Sequence, residues 1–472
     1  MVGLISLPFD DQDERRIQSL GLAYIAADLK ANGIESFVFD GCGVDRFSNI
    51  EELLNILIEL NPTHVGFYVV EHNFKITVNF IKLLKEKINL QIFLGGPQVV
   101  FLADEIMHHY EDVDFILVGE SEGKLPSIIA HDYTPKGIFY RDNKSIKHTS
   151  LECENIELDK LIFPVRQLGD KCLLTREQYN NKNYYMVPIS SSRGCPYTCS
   201  FCAVPAMVLS QHIKWRFRSA TSVCKEIRLI YEEYKDIYIR FIDDNFLVNI
   251  NRAMEICRGI RKIGDIPFSF SGRVNAILTL TDEQLAEMKN CGLTAIEIGV
   301  ENFNDNVLER YQKKNTAVEV KKALKKLLKN DIHPAIDFIM FDPWTTVEEL
   351  QNNYNAIVEL GLDAYDPPFL TNRLYPFPGT EFYLNNAIDI KKYFHNPEIE
   401  KIYSSMIHYM DKHQKYREYL LKTPSKRYVL QAFLRLPYKV FSILLKDPQC
   451  EIDSLSIITA FEKACYCTEK EI

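Results

Sequence analysis

The chain has 472 residues, of which 46% are hydrophobic and 25% are charged, so it is long enough for two or three globular domains. Its net charge of -9 at pH 7 disfavours binding to nucleic-acid backbones, and it contains no apolar run of the roughly 20 residues needed to cross a bilayer. Because the N-terminal segment also lacks the basic region of a signal peptide, we expect a cytoplasmic protein that makes no membrane contact and keeps its 12 cysteines reduced.

Residues 1–145 alternate between short apolar segments and amphipathic ones. The first apolar segment, Val2–Leu7, is followed by a helical pattern that ends at Gly33, and four further strand-like segments continue the alternation. Such alternation predicts an α/β fold with a doubly wound, Rossmann-like parallel sheet, which binds ligands beyond the carboxyl ends of its strands. Glycines that let a ligand approach the backbone lie at those ends: Gly95, Gly96 and Gly119.

The remaining chain divides into three parts. Residues 146–184 show no clear period and are interpreted as a linker. Residues 185–385 contain six strand–helix units, fewer than the eight of a complete (β/α)8 barrel, and therefore predict a partial barrel. Residues 386–472 have a helical pattern rich in Lys, Tyr and Leu, which predicts a helical C-terminal region.

Three cysteines, Cys195, Cys199 and Cys202, lie within eight residues in the segment RGCPYTCSFCAVP. A structural zinc site usually has four ligands in two separated pairs, and no second pair lies near this segment. Iron–sulfur clusters are bound by thiolates at such close spacing, and three protein ligands leave one iron open to another ligand. The spacing favours an iron–sulfur cluster, with zinc and three unrelated buried cysteines as the alternatives.

The three cysteines form the pattern Cys-x-x-x-Cys-x-x-Cys, which directly follows the first strand of the barrel series and has an aromatic residue, Phe201, before its last cysteine. This pattern resembles that of the radical S-adenosylmethionine (SAM) superfamily. The resemblance implies a partial (β/α)6 barrel and a 4Fe-4S cluster held by the three cysteines, whose open iron binds SAM beside Phe201. It also implies that one-electron reduction, from a donor such as flavodoxin or ferredoxin, cleaves SAM to methionine and a 5′-deoxyadenosyl radical, which removes hydrogen from a substrate.

Further positions match this family along the barrel strands. The second strand ends in Asp243, Asp244 and Asn245, where the family usually has Gly-Gly-Glu, and the resemblance implies that this trio contacts the methionine part of SAM. Arg273, at the third strand, would bind the SAM carboxylate, and Glu301, at the fourth, would contact the ribose. A carboxylate at the end of a strand is also a common helix cap, which is the structural alternative for Asp243 and Asp244.

Residues 1–145 resemble the cobalamin-binding domain that is fused ahead of some radical SAM barrels. The segment FLGGPQVVFLADEIMHHYEDVDFILVGESEG carries the resemblance and includes Gly95, Gly96 and Gly119, which would lie against the cofactor. The Asp-x-His-x-x-Gly motif that supplies an axial histidine in other cobalamin proteins is missing, as it usually is in fused radical SAM enzymes. His72, after the third strand, would face the lower side of the corrin as a ligand, a hydrogen-bonding neighbour or a surface residue.

The reaction depends on whether cobalamin is bound. With cobalamin, the resemblance implies a methyltransferase in which the substrate radical takes a methyl group from methylcobalamin, and the expected product is a C-methylated small natural-product intermediate. With an empty cobalamin domain, the barrel would catalyse a dehydration, an epimerisation or a decarboxylation. The chain could also belong to a different functional class, as a non-catalytic cobalamin or redox sensor that uses its cluster as a switch.

Replacing Cys195, Cys199 or Cys202 singly with alanine is expected to abolish the visible absorbance of the cluster and the cleavage of SAM, because each change leaves a cluster iron without its thiolate. Anaerobic reconstitution, absorption spectroscopy and an assay for 5′-deoxyadenosine measure both effects. Reductive cleavage of SAM by the triple alanine variant would contradict the cluster assignment.

Overall fold

The computed structural model describes residues 1–8, 17–45, 48–142, 145–152, 156–210, 215–364, 368–386, 392–422 and 433–469. The chain divides into two units, each built from several segments. The first unit contains Met1–Tyr197, Cys202–Gly272 and Leu280–Ile296, and the second contains Thr198–Phe201, Arg273–Thr279 and Glu297–Ile472.

The N-terminal part of the first unit is one β-sheet with its helices. The strands are β1 (Val2–Ser6), β2 (Ser36–Asp40), β3 (His64–Tyr68), β4 (Gln91–Gly95), β5 (Phe115–Leu117), β6 (Ile138–Asp142) and β7 (Ser145–His148). The helices are α1 (Leu20–Ala31), α2 (Ile50–Leu60), α3 (Glu71–Lys87), α4 (Pro97–His109) and α5 (Lys124–Ile129). The strand order is β2-β1-β3-β4-β5-β6-β7, in which β1 to β5 pair in parallel.

Both faces of this sheet are buried, as is usual for parallel strands that lie between helices. Successive side chains of a strand point to opposite faces, so Leu4 and Ile5 of β1 enter two different apolar clusters. The predicted doubly wound sheet is therefore confirmed. The antiparallel hairpin β6–β7 at its edge was not predicted, because β7 is largely exposed and lacks an apolar period.

The following strands and helices form the barrel region. The strands are β8 (Gln167–Leu168), β9 (Lys171–Cys172), β10 (Thr175–Tyr179), β11 (Lys182–Ile189), β12 (Ser192–Arg193), β13 (Arg216–Phe217), β14 (Ile237–Phe241), β15 (Phe268–Arg273), β16 (Leu293–Glu301) and β17 (His333–Phe338). The helices are α6 (Ala203–Ser210), α7 (Ala220–Tyr234), α8 (Ile250–Ile263), α9 (Val274–Thr279), α10 (Asp282–Asn290), α11 (Asp305–Arg310), α12 (Ala317–Lys329), α13 (Val347–Glu359) and α14 (Glu381–Asn385). The main sheet has the order β10-β11-β14-β15-β16-β17, and the pairs β8-β9 and β12-β13 are separate.

The predicted barrel strands correspond to β11, β14, β15, β16 and β17, with one exception at the end of the series. The sixth strand, expected within residues 369–380, is represented in the described segment 368–386 by a single parallel bridge between Phe341 and Arg373. Pro376 and Pro378 lack the N–H donors that a ladder needs, which explains why the pairing does not extend. The barrel is therefore open at this edge.

The C-terminal region is helical, as predicted. Its helices are α15 (Pro397–Lys422), α16 (Leu436–Lys446) and α17 (Ser454–Glu469). Leu420 of α15 and Ile458 of α17 share a small apolar cluster with Phe433. Within the described residues, no helix combines the length and the apolar character that crossing a membrane requires.

Candidate active site

A cavity of about 290 Å³ lies at the carboxyl ends of strands β3, β4 and β5. The three glycines predicted from the sequence to face a ligand, Gly95, Gly96 and Gly119, all line it. Most of the other lining side chains are apolar, among them Leu20, Leu22, Ile25, Phe67, Phe93, Leu94, Leu117 and Leu125. The cavity, called here the first cavity, therefore suits a large ligand with apolar faces.

Gly95 and Gly96 shape the wall of the first cavity in different ways. A Cβ atom added to Gly95 would meet no described heavy atom within 4 Å, so the missing side chain leaves open space beside the backbone. Gly96 has a φ of +112°, and an added Cβ would lie 2.5 Å from the carbonyl oxygen of Val69. Only glycine fits this position, because it lets the chain after β4 pass close to the backbone after β3.

The end of β3 places Tyr68 in the wall of the first cavity. Burial raises the pKa of Tyr68 to about 12, so its phenol is neutral at physiological pH. His72 lies in the first turn of α3 with an exposed side chain, and among the described residues it is not one of those that line the cavity. The sequence could not separate these two positions, because the backbone geometry at the end of a strand decides where each side chain points.

Two carboxylates from the loop after β5 pair with two arginines of the antiparallel strand pair β12–β13. Arg216 donates to both oxygens of Glu120, over 2.5 and 3.0 Å, and Arg193 donates to Glu122 over 2.6 Å. Burial raises the pKa of Glu120, but the guanidinium groups lower it further, so its net pKa lies below the ordinary value and the carboxylate stays charged. Because Arg193 precedes the cysteine segment, these ion pairs link the cavity wall to that segment.

A second cavity, of about 250 Å³, adjoins the first. The two share four lining residues: Gly96, Gly119, Glu120 and Arg193. Gly194 and Asp244 line its other end, together with apolar side chains of α6: Val204, Met207 and Val208. The second cavity thus extends from the glycine wall to the start of the cysteine segment.

Of the three polar residues that follow β14, Asp243 accepts hydrogen bonds from other parts of the chain. It is buried and accepts hydrogen bonds from the Ser191 amide over 2.6 Å, the Ser191 hydroxyl over 2.5 Å and the Ser192 hydroxyl over 2.7 Å. Burial raises its pKa, and the serine donors lower it in part. Asp243 therefore holds the backbone just ahead of the cysteine segment.

Asp244 and Asn245 retain more capacity for a ligand. Asp244 accepts a hydrogen bond from the Gly194 amide over 3.1 Å, and burial together with the neighbouring Asp243 raises its pKa to about 6. Asn245 is 1% exposed, and neither atom of its amide has a hydrogen-bond partner among the described residues. A buried amide without partners is destabilising, which is explained if a ligand completes its hydrogen bonds.

Two arginines donate hydrogen bonds to backbone carbonyl groups just ahead of the cysteine segment. Arg252 donates to the Ser191 carbonyl oxygen over 2.6 Å, and the Arg218 side chain donates to the Ser190 carbonyl oxygen over 3.1 Å. Arg218 is itself paired with the buried Glu226 over 2.5 Å. The direction in which the cysteine segment leaves β11 is therefore fixed by buried, charge-assisted hydrogen bonds.

In the second unit, the middle of the cysteine segment contacts the turn that follows α11. The Ser200 amide donates to the Tyr311 carbonyl oxygen over 3.1 Å, and the Ser200 hydroxyl donates to the Arg310 carbonyl oxygen over 2.9 Å. Phe201 packs edge-on against Tyr311, with ring centroids 5.2 Å apart. These contacts hold Cys199 in a buried position.

Arg273 and Glu301 lie in one hydrogen-bonded chain with Cys199. Arg273 donates to the sulfur of Cys199 over 2.9 Å and to the Lys313 carbonyl oxygen over 2.5 Å. The Lys313 ammonium donates to Glu301 over 2.8 Å, and both of these side chains are buried. Lys313 was not predicted, because it lies in a lysine-rich stretch where its neighbour Lys314 is exposed and nothing in the pattern separates the two.

Glu301 adopts a backbone conformation that is unusual for its residue type. Its φ is +62°, in the left-handed region that costs a non-glycine residue about 1–2 kcal/mol. Gly299 provides room for its ion pair, since an added Cβ would lie 2.7 Å from Glu301 Oε1 and 2.9 Å from Lys313 Nζ. Backbone strain at a buried charged pair is typical of functional sites.

The three cysteines lie in the irregular segment between β12 and α6. Cys199 is buried, and Cys195 and Cys202 are half-buried. Among the residues that the structure describes, no three His, Cys, Asp or Glu side chains are grouped closely enough to hold a metal ion. Because residues 194–202, all of them described, form no helix or strand, the thiols can approach one another without breaking regular backbone hydrogen bonds.

Comparison with known families identifies both parts of the site. Residues 189–357 match the radical SAM superfamily, and residues 14–129 match the B12 binding domain. Residues 189–357 therefore form a radical SAM domain. The chain also carries a B12-binding domain, and the two domains imply a 4Fe-4S cluster, SAM and cobalamin as cofactors.

Relatives and solved structures resemble this radical SAM enzyme over most of its length. An uncharacterized methyltransferase of Pyrococcus horikoshii is 27% identical over 77% of this chain and 77% of its own. An anaerobic magnesium-protoporphyrin IX monomethyl ester cyclase of Cereibacter sphaeroides is 24% identical over 79% of this chain, and the match spans 61% of the cyclase. The cobalamin-dependent SAM radical enzyme OxsB, solved with aqua-cobalamin and SAM bound, has the same fold, with a TM-score of 0.73 and 17% identity over 98% of this chain and 75% of OxsB.

The residues of the site fit the cofactors that the two domains imply. The first cavity, with the open space beside Gly95, offers a mostly apolar wall against which one face of the corrin of cobalamin could lie. The cysteine segment offers three thiol donors, the number that leaves one iron of a 4Fe-4S cluster open. SAM carries charged amino and carboxylate groups, which match the ionisable Asp244 and the partnerless buried amide of Asn245.

Replacing Asp243 with alanine is expected to lower the free energy of unfolding by about 3 kcal/mol, because three buried donors of Ser191 and Ser192 lose their acceptor. The iron content after reconstitution should also fall, since the cysteine segment loses its anchor. Chemical denaturation and iron determination measure these effects. Ser192→Ala, which removes one of the three hydrogen bonds, is the matched control and should cost about 1 kcal/mol. A wild-type free energy of unfolding for Asp243→Ala would contradict the anchoring role.

Proposed function

We propose that this radical SAM enzyme is a cobalamin-dependent methyltransferase that methylates a carbon atom of a small molecule. The observation that carries the proposal is the pair of adjoining cavities. The first offers a mostly apolar wall for one face of the corrin, and the second begins at the same glycine wall and ends at Gly194, next to the cluster cysteines. A substrate in the second cavity would therefore contact both cofactor sites, which a methyl transfer to a substrate radical requires.

The cofactors supply the chemistry, and the chain binds and orients them. When bound, the cluster and SAM supply a radical that removes a hydrogen atom from the substrate, and methylcobalamin supplies the methyl group. The side chains of Val204, Met207 and Val208 exclude water from the second cavity, which protects a reactive substrate. Glu120 and Arg216 supply the charged groups of the same wall.

We assign the SAM contacts according to the hydrogen-bonding capacity of each residue. Asp244 binds the amino group and Asn245 another polar group of the methionine part, while Asp243 holds the cysteine segment. Arg273 keeps its proposed contact with the SAM carboxylate, and Glu301 keeps its contact with the ribose.

On the cobalamin side, Gly95, Gly96 and Gly119 would lie against the cofactor. Among the described residues that line the first cavity, Tyr68 is present and no histidine is, which supports a cobalamin bound without a histidine ligand. His72 remains the candidate from the sequence for the lower side, and its exposed side chain supports the surface-residue alternative.

The size of the second cavity, about 250 Å³, supports a small-molecule substrate. Its wall is apolar on the side of α6 and carries an ion pair on the other side, so a substrate with an apolar part and a polar group is favoured. Phe201 would lie beside the cluster and SAM. A reduced flavodoxin or ferredoxin would supply the electron.

A second candidate is a radical reaction that ends without methyl transfer, such as a dehydration, an epimerisation or a decarboxylation. The similarity to the cyclase of Cereibacter sphaeroides favours keeping it, because the name of that relative describes a ring closure and not a methylation.

Cobalamin retention tests the proposal without knowledge of the substrate. After anaerobic reconstitution with iron, sulfide and hydroxocobalamin, the desalted protein is expected to keep the corrin absorption bands. Gly95→Phe should lose them, because the new side chain enters the open space that the corrin would occupy, while its iron content stays unchanged. Absence of corrin bands in the wild-type protein would contradict methyl transfer and favour the second candidate. Formation of 5′-deoxyadenosine from SAM with dithionite as reductant is expected of both candidate enzymes and not of a redox sensor.

The affinity for SAM is expected to rise about tenfold between about pH 5 and pH 7. The pKa of Asp244 is raised to about 6, so its carboxyl is mostly protonated at the lower pH, and only the ionised form attracts an ammonium group. Calorimetric titration of the reconstituted protein with SAM measures the dependence. Asp244→Asn should bind SAM weakly at both pH values, and a rise equal to that of the wild type would contradict this role.

A further inference from the structure

We propose that Arg273 is a positioning residue that raises the reduction potential of the cluster by donating a hydrogen bond to the sulfur of Cys199. The inference rests on the proposed function, since it requires a cluster on the three cysteines. Arg273 Nη1 lies 2.9 Å from Cys199 Sγ, and both residues are 7% exposed. The contact is therefore a short, buried hydrogen bond from a cation to a cluster ligand.

The guanidinium is held in this orientation by the backbone of Lys313. Arg273 Nη2 donates to the Lys313 carbonyl oxygen over 2.5 Å, and this carbonyl belongs to a turn in which Gln312 and Lys314 have positive φ values of 53° and 54°. The Lys313 ammonium is engaged with Glu301 over 2.8 Å. The Lys313 ammonium therefore pairs with a carboxylate, and the group that donates to the Cys199 sulfur is the Arg273 guanidinium.

A donor at this position stabilises the reduced cluster more than the oxidised one. Reduction adds one negative charge, part of which resides on the thiolate sulfurs, and a hydrogen bond to a sulfur strengthens as that charge grows. Burial increases the effect, because the local dielectric is lower than that of water. Arginine stays charged at any pH that the protein tolerates, so the contribution is constant.

This role is separate from binding SAM. The hydrogen bonds from Arg273 to the Cys199 sulfur and to the Lys313 carbonyl oxygen are both formed within the protein, so neither of them requires SAM. The effect on potential is therefore expected in the absence of SAM, whereas a residue that only bound SAM would leave the potential of the SAM-free cluster unchanged.

The test is a potentiometric titration of the anaerobically reconstituted enzyme without SAM, followed by electron paramagnetic resonance of the reduced cluster. Arg273→Met removes both the charge and the donor, and the ratio of reduced to oxidised cluster at the wild-type midpoint is expected to fall about tenfold, which corresponds to about 59 mV for one electron. Arg273→Lys keeps the charge and one donor and should lie between the two. Arg258→Gln, which removes an exposed guanidinium that pairs with Glu287, is the control and should leave the midpoint unchanged.

Iron and sulfide analysis distinguishes a failure of this inference from a failure of the proposed function. A wild-type midpoint in Arg273→Met that carries a full cluster would overturn the inference and leave the proposed function intact. Should Arg273→Met fail to load a cluster, Arg273→Gln takes its place. It removes the charge but keeps polar N–H groups on a shorter side chain in the buried site, and it must also lower the ratio of reduced to oxidised cluster. A midpoint for Arg273→Gln and for Arg273→Lys equal to that of the wild type would overturn the inference, and a wild-type protein that binds no cluster would overturn both.

Discussion

The hydrogen bonds between buried Asp243 and the two serines ahead of the cysteine segment are the constraint on which the site depends. A loop that presents three thiols to one cluster cannot be a helix or a strand, so its shape is decided by the groups that hold it. Ser191 and Ser192 bind the carboxylate at the start of the loop, and Ser200 binds carbonyl groups in its middle. These anchors therefore hold the loop on both sides of Cys195 and Cys199.

Several charged groups of the site are paired with a group of opposite charge. The arginines of the strand pair β12–β13 form ion pairs with the carboxylates after β5, and Lys313 forms one with Glu301. Arg273 differs, because it donates to a sulfur and to a backbone carbonyl. A cation beside a thiolate ligand suits a site whose charge changes during turnover, whereas the ion pairs around the cavities suit walls that stay fixed.

The features that the sequence predicted are those encoded over short distances. The glycines after the strands and the alternation of strands and helices are local features, and both are found in the structure: the glycines line the first cavity, and the alternation forms the parallel sheet. The interactions that assign roles were not predictable, because they join distant positions: Arg273 and Cys199 are 74 residues apart, and Arg216 and Glu120 are 96 apart. The consecutive residues 243–245 look equivalent in sequence, and only the backbone geometry directs one to the serines and another to a cavity.

The left-handed backbone of Glu301 has a consequence for how the sequence can change over evolutionary time. Glycine would adopt this conformation without strain, and it would also remove the need for a buried lysine partner. In this chain, however, Lys313 is buried and pairs with Glu301, so Glu301→Gly would relieve the backbone strain but leave a buried ammonium group without its carboxylate. Positions 301 and 313 are therefore coupled, and a change at one is tolerated best together with a change at the other.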